Sequence, residues 1–211
     1  MNLKSRADKI RKILRKKYPG VKTQLFYETP FQLLVATILS AQCTDKQVNR
    51  VSKDLFKQLK TPADFAEVSV RIIERLIRST GFYHNKARNI KNCAIELLEK
   101  FEGQVPQNLE EMLQLPGVGR KTANVVLGAA FGKPGVVVDT HVARISQRLG
   151  LTANKDPGKI EFDLMEIIPR KDWNDFCLQL IFFGREICIA RKPKCPTCPL
   201  AKLCPWPFKT T

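Results

Sequence analysis

Apolar residues return every three or four positions through nearly the whole of this chain, and almost nowhere do they alternate with polar ones. A period near 3.6 lines side chains along one face of a helix, whereas a strand needs a period of two. A nearly all-α fold is therefore expected. Helices are predicted over about 5–17, 30–40, 45–59, 68–78, 84–101, 108–114, 120–131, 141–149, 157–168 and 172–187. Their ends carry the expected punctuation: Pro30 opens one helix, while Gly81, Gly132 with Pro134, and Gly150 follow others. Val136-Val137-Val138 is the one extended candidate, too short for a sheet and read as a buried connector. A chain of 211 residues with 44% apolar content can bury a sizeable core as one domain or two small lobes. The clearest seam is Gly132-Lys133-Pro134-Gly135.

Charge narrows the class of partner. Lys and Arg number 36 against 20 Asp and Glu, a net +16 that must lie mostly on the surface. Such an excess suits a polyanion, because neutralising phosphates releases condensed counterions and yields affinity without sequence preference. Nucleic acid is favoured over a small acidic metabolite, with a merely soluble basic protein as the bland alternative. No apolar run approaches the ~20 residues needed to span a bilayer. The basic N-terminus carries Ile10, Ile13 and Leu14 at helical spacing and no apolar h-region, so it reads as a surface helix rather than a signal peptide. A soluble protein of the bacterial or archaeal cytoplasm, with no membrane partner, is expected.

The run Leu115-Pro116-Gly117-Val118-Gly119-Arg120-Lys121-Thr122 lies between a short predicted helix and a longer one, a helix-hairpin-helix pattern. Pro116 ends the first helix, Gly117 and Gly119 permit a tight turn and close backbone approach, and the second helix begins with unpaired amides. Those amides and the helix dipole form an anion site suited to a DNA phosphate, which grips backbone and reads no base. Lys121 follows the glycines, where phosphate contact, solvation and covalent catalysis compete as explanations. A lysine attacks only when its amine is partly neutral, a state that desolvation or nearby positive potential favours. Asp139, ahead of Val142, Ile145 and Leu149, stands where a helix N-cap belongs. A capped carboxylate is also a fixed one, able to take protons or stabilise positive charge on a sugar ring.

Cys188, Cys195, Cys198 and Cys204 form C-x6-C-x2-C-x5-C, whereas Cys43, Cys93 and Cys177 are scattered. Four crowded thiols in one stretch point to a metal centre in a reducing compartment rather than to disulfides. Ligand count alone admits tetrahedral zinc or a [4Fe–4S] cluster; zinc sites commonly pair two short knuckles, so the single close pair leans to iron–sulfur. The stretch from Arg191 to Trp206 is rich in proline and charge, and cannot form a core without a staple. Stapling would hold Arg191, Lys192 and Lys194 in a rigid basic loop, for phosphate contact or simply for solvent.

The hairpin with Lys121, the Val-Asp-Thr-His segment at 138–141 and the four-cysteine tail together resemble the endonuclease III family of DNA glycosylases. Leu39-Ser40-Ala41-Gln42 with Thr44-Asp45, and Gly184-Arg185 through Cys188-Ile189-Ala190-Arg191-Lys192-Pro193, extend the resemblance over nearly the whole chain. It implies two helical lobes flanking a DNA cleft: a six-helix barrel over about 22–133, with the hairpin at about 109–128, and a cluster lobe of 1–21 plus 134–211, with its loop at 188–204. It further implies a bifunctional glycosylase and abasic-site lyase, acting as a monomer on oxidised pyrimidines or abasic sites in double-stranded DNA. Lys121 would attack C1′ and form an imine, Asp139 would assist, and the four cysteines would hold a [4Fe–4S] cluster. Gly117, Val118, Gly119 and Arg120 would grip the backbone. Gln42 would fill the space left by an everted base and Phe82 the wedge position opposite, although core packing competes at Phe82 and the family often has leucine there. Asp45 and His141 are weaker pocket candidates, Asp45 serving equally as an N-cap and His141 as a structural hydrogen-bonding group. Two other readings remain. A thymine or adenine mismatch glycosylase usually has tyrosine or serine in place of the lysine at 121, and a non-catalytic DNA-binding module could use zinc.

Overall fold

The computed structural model describes residues 2–210. In chain order the helices are α1 (Leu3–Lys17), α2 (Pro30–Leu39), α3 (Asp45–Gln58), α4 (Pro62–Glu67), α5 (Val70–Ile77) and α6 (Tyr83–Phe101). They continue with α7 (Leu109–Met112), α8 (Arg120–Phe131), α9 (Thr140–Arg148), α10 (Pro157–Ile167) and α11 (Trp173–Glu186). Short 3₁₀ turns occupy Arg78–Thr80, Arg170–Asp172 and Cys195–Thr197, and no strand occurs among the described residues. The fold is all-α, as the periodicity requires. α4 lies outside the predicted helices, because it is too short to show a period, but it carries its own cap. Thr61 accepts from the Asp64 amide while the Asp64 carboxylate accepts from the Thr61 amide, and Pro62 occupies the first turn.

Two compact units emerge. One joins the N-terminal segment through Thr23 to everything from Pro134 onward; the other is Gln24–Lys133. In the continuous unit, α2 is buried on every side from Phe31 to Leu39, which explains its mostly apolar sequence; the two polar exceptions are paired, Gln32 Oε1 accepting from the Glu28 amide and Thr37 Oγ1 donating to Leu33 O. Around it pack Leu55, Phe65, Ile73, Ile77, Ile90 and Leu97, all fully buried, with Phe31 and Phe65 edge-to-face at 5.4 Å. Each such side chain contributes roughly 1.5–3 kcal/mol of burial free energy.

The discontinuous unit has a core of Ile10 and Leu14 from α1, Val142 and Ile145 from α9, Ile160 and Leu164 from α10, and Phe176, Leu180 and Phe183 from α11. Across it Arg11 pairs with buried Asp172 at 2.7 Å. The Val136 connector is buried in this core without joining a strand. Among the described residues no helix is long and apolar enough to cross a membrane.

Candidate active site

The hairpin turns at Gly117, whose φ of +77° favours glycine and whose added Cβ would sit 2.8 Å from Asn89 Cβ. Val118 is buried and donates its amide to Leu115 O at 3.1 Å, anchoring the turn from below. Gly119, Arg120 and Lys121 are exposed. α8 begins at Arg120 with Gly119 as its N-cap and no side-chain cap, so the helix presents the positive end of its dipole without a competing side-chain acceptor. This arrangement can take up an anion, with Lys121 one residue inside the helix.

Gln42 and Phe82 share an uncommon backbone. Both are exposed non-glycine residues in the left-handed region, with φ of +52° and +49°. Phe82 is 64% exposed, which removes core packing as its explanation. Left-handed backbone at such residues costs of order 1–3 kcal/mol and persists only where the surroundings enforce it. Beneath these turns lies a residue that sequence reasoning missed. Lys86, 4% exposed, donates from Nζ to Leu39 O at 2.8 Å and to Thr80 O at 2.9 Å. Burial holds its amine below the ordinary lysine value, partly offset by Cys43 nearby. A signal was present, because Lys86 falls in register with Ile90, Ala94 and Leu97 on the apolar face of α6. Asp45 is the first residue of α3 rather than its cap; Thr44 fills that role, accepting from the Gln47 amide at 3.3 Å.

Asp139 caps α9. One carboxylate oxygen, Oδ1, accepts from the amides of His141 and Val142, both at 2.8 Å, so the group is fixed while still partly exposed. His141 is half-buried, with Nδ1 3.1 Å from Arg144 Nη2. Burial lowers its pKa, with Arg144 and Arg185 acting in the same direction and Asp139 against it. Arg144 continues to Gly184 O at 3.2 Å and Cys188 O at 2.9 Å, tying α9 to the end of α11.

That junction depends on Gly184. A Cβ there would lie 2.7 Å from Ile145 Cδ1 and 2.8 Å from His141 Nδ1. Gly184→Ala gains up to ~1 kcal/mol of helix propensity, but overpacking costs about 1–3 kcal/mol, and Ile145 is fully buried with nowhere to retreat. The substitution is expected to destabilise the protein by a net of up to about 2 kcal/mol, read as a lower urea midpoint. A midpoint at or above wild type would show that His141 and Ile145 yield freely.

The four C-terminal cysteines line one pocket, with Arg148, Phe183, Ile187, Lys194 and Trp206. Arg148 lies at its edge, guanidinium 4.0 Å from the Trp206 ring, and donates to Cys188 Sγ at 3.4 Å, Ile189 O at 3.0 Å and Ala190 O at 2.8 Å. Cys204 Sγ donates to Arg148 O at 3.3 Å. The Cys198 thiol is pushed up, first by burial and further by Cys188, Cys204 and Cys195. Four thiolates so placed repel one another unless a cationic centre joins them. No group of three or more His, Cys, Asp or Glu among the described residues is arranged to hold a single metal ion. Arg191, Lys192 and Lys194 are exposed around buried Pro193.

The profile of the HhH-GPD superfamily base excision DNA repair proteins matches residues 35–170. The chain is 56% identical to Endonuclease III of Synechocystis sp., over 96% of this chain and 93% of that one. Among solved structures it is similar to a non-covalent Endonuclease III–DNA complex, at 45% identity and a TM-score of 0.93, covering 97% of this chain and 96% of the other. A trapped Endonuclease III–DNA covalent intermediate with an estranged adenine also matches at 45% identity and a TM-score of 0.93, covering 97% of each chain.

Proposed function

The chain belongs to the endonuclease III family within the HhH-GPD superfamily of base excision DNA repair proteins, and on that footing we propose how its residues divide the work. It is a bifunctional DNA N-glycosylase and abasic-site lyase that binds DNA. Its substrates are oxidised pyrimidines in duplex DNA, and it acts as a monomer. The carrying observation is the likeness to a trapped covalent enzyme–DNA intermediate, since such an adduct demands a nucleophile on the protein.

Lys121 is that nucleophile. Its neutral amine forms a bond to C1′ as the bond from C1′ to the base breaks, and the departing base leaves with the electron pair and takes up a proton. Loss of protons from nitrogen and opening of the sugar yield an imine. Removal of a proton from C2′ then expels the 3′ phosphate, and water releases the enzyme. Asp139 serves the positive charge developing on the sugar and the proton transfers. The two amides on its Oδ1 hold the carboxylate in place for that work. The uncapped start of α8 grips a phosphate through Gly117, Val118, Gly119 and Arg120, while Gln42 and Phe82 fill the duplex where the nucleotide has left. Asp45 and His141 stay secondary; the contacts of His141 with Arg144 and Gly184 favour a packing role.

Cys188, Cys195, Cys198 and Cys204 would hold a [4Fe–4S] cluster, which suits thiols placed around a shared pocket. When bound, the cluster would cross-link the four thiolates. The chain's own contribution is the basic loop of Arg191, Lys192 and Lys194, which the cross-link presents to phosphate.

A panel of duplexes tests the reading, each with one oxidised pyrimidine, one G·T mismatch or one adenine opposite an oxidised guanine, assayed for free base and nicking without borohydride and for covalent attachment with it. The oxidised pyrimidine is expected to give free base, a nick and protein covalently attached to DNA. Base release without attachment would exclude an amine nucleophile, and preference for either mismatch would overturn the substrate assignment.

A further inference from the structure

We propose that Lys86 is a positioning residue that locks the Gln42 and Phe82 turns into one rigid pair, so that both side chains enter the duplex together. This rests on the reading of Gln42 and Phe82 as gap-fillers. Leu39, the last residue of α2, stands three positions before Gln42, and Thr80, the last of a 3₁₀ turn, stands two before Phe82. Carbonyls at helix ends lack an intrahelical donor, and one ammonium serves both. Lys86 also returns its own amide to Phe82 O at 3.1 Å, so the wedge turn is held at two points by the same residue. A second bridge ties the first turn of α3, which follows the Gln42 turn, to the 3₁₀ turn before Phe82, where Gln47 Nε2 donates to Ser79 Oγ at 2.7 Å. Neither Gln42 nor Phe82 buries its side chain, so the left-handed turns draw their support from this backbone network. An alkyl chain of similar length at position 86 would fill the space and leave both carbonyls without a donor in a buried setting.

Duplex and single strand make different demands. An everted nucleotide in a duplex needs both fillers at the correct separation, whereas an abasic site in a single strand has no stacked partner to replace. The test measures single-turnover nicking by Lys86→Met on an abasic site in each context, relative to wild type on the same substrate. The duplex rate is expected to fall about tenfold to a hundredfold, the scale of a misplacement near 1 Å, with the single-strand rate nearly unchanged. Equal losses on both substrates, or none, would overturn the proposal. Gln42→Ala and Phe82→Ala run in parallel. If they spare the duplex rate, the gap-filling reading fails and the proposal falls with it; if they lower it and Lys86→Met does not, only the proposal falls. Should Lys86→Met fail to fold, Gln47→Ala removes the exposed bridge and is expected to depress the duplex-to-single-strand ratio in the same direction. An unchanged ratio there counts against the lock.

Discussion

A Lys121→Gln protein is expected to bind duplex DNA containing an abasic site within a few-fold of wild-type affinity and to form no borohydride-stable adduct. The substitution lies in the first turn of α8 on an exposed side chain, where replacements usually alter stability by no more than about 0.5 kcal/mol. Glutamine forms helix about as well as lysine. It leaves the Gly117 turn and the amides at the start of α8 untouched, so most phosphate contact survives. What disappears is the only group at that position able to bond to C1′. Nicking should fall by roughly three orders of magnitude or more, the scale on which loss of a covalent nucleophile acts. Persistent nicking would refute Lys121 as nucleophile. A parallel loss of binding and nicking would make it a phosphate contact instead.

The second large effect concerns the C-terminal stretch. Cys204→Ala is expected to abolish the broad visible absorbance of an iron–sulfur protein, lower Tm and weaken duplex binding. Among the described residues from Cys188 onward, no helix is longer than the 3₁₀ turn Cys195–Thr197. Its buried anchors are few, notably Leu200 and Pro193, and its backbone hydrogen bonds are those of short turns, such as Lys194 N to Ile187 O at 2.9 Å and Cys198 N to Cys195 O at 3.1 Å. Such a segment depends on its cross-link. Losing a disulfide from a small domain typically costs 2–5 kcal/mol, and a loss on that scale here corresponds to roughly 10 °C in Tm for a chain of this size. A colourless wild-type protein, or a variant with unaltered melting, would remove the cluster assignment.

The helices longer than two turns were legible because most write an apolar stripe at helical spacing, and several are bracketed by capping, proline or glycine residues, such as Thr29-Pro30 before α2 and Gly132 after α8. α4 escaped for want of length, and only the Thr61-Pro62-Ala63-Asp64 cap chemistry reveals it. Asp45 and Thr44 are both cap formers, so the true cap of α3 needed the backbone to separate them. The glycine turn, the capping aspartate and the cysteine spacing could be read because each is local. Lys86 left only its place on the apolar face of α6 as a signal; its role was hidden, since its partners Leu39 and Thr80 lie 47 and 6 positions away and only packing brings them to one ammonium. Arg148 is similar, reaching 40 and more residues ahead to Cys188, Ile189 and Ala190.

The discontinuous unit also dictates an order of events during synthesis. Arg11 is translated 161 positions before Asp172, so at about 5–20 residues per second α1 leaves the ribosome many seconds ahead of the helices that cover Ile10 and Leu14. The continuous unit, Gln24–Lys133, has all its partners by then and can fold while α1 waits with its apolar stripe uncovered. The charged face of α1 keeps it hydrated until α10 and α11 emerge to cover Ala7, Ile10 and Leu14.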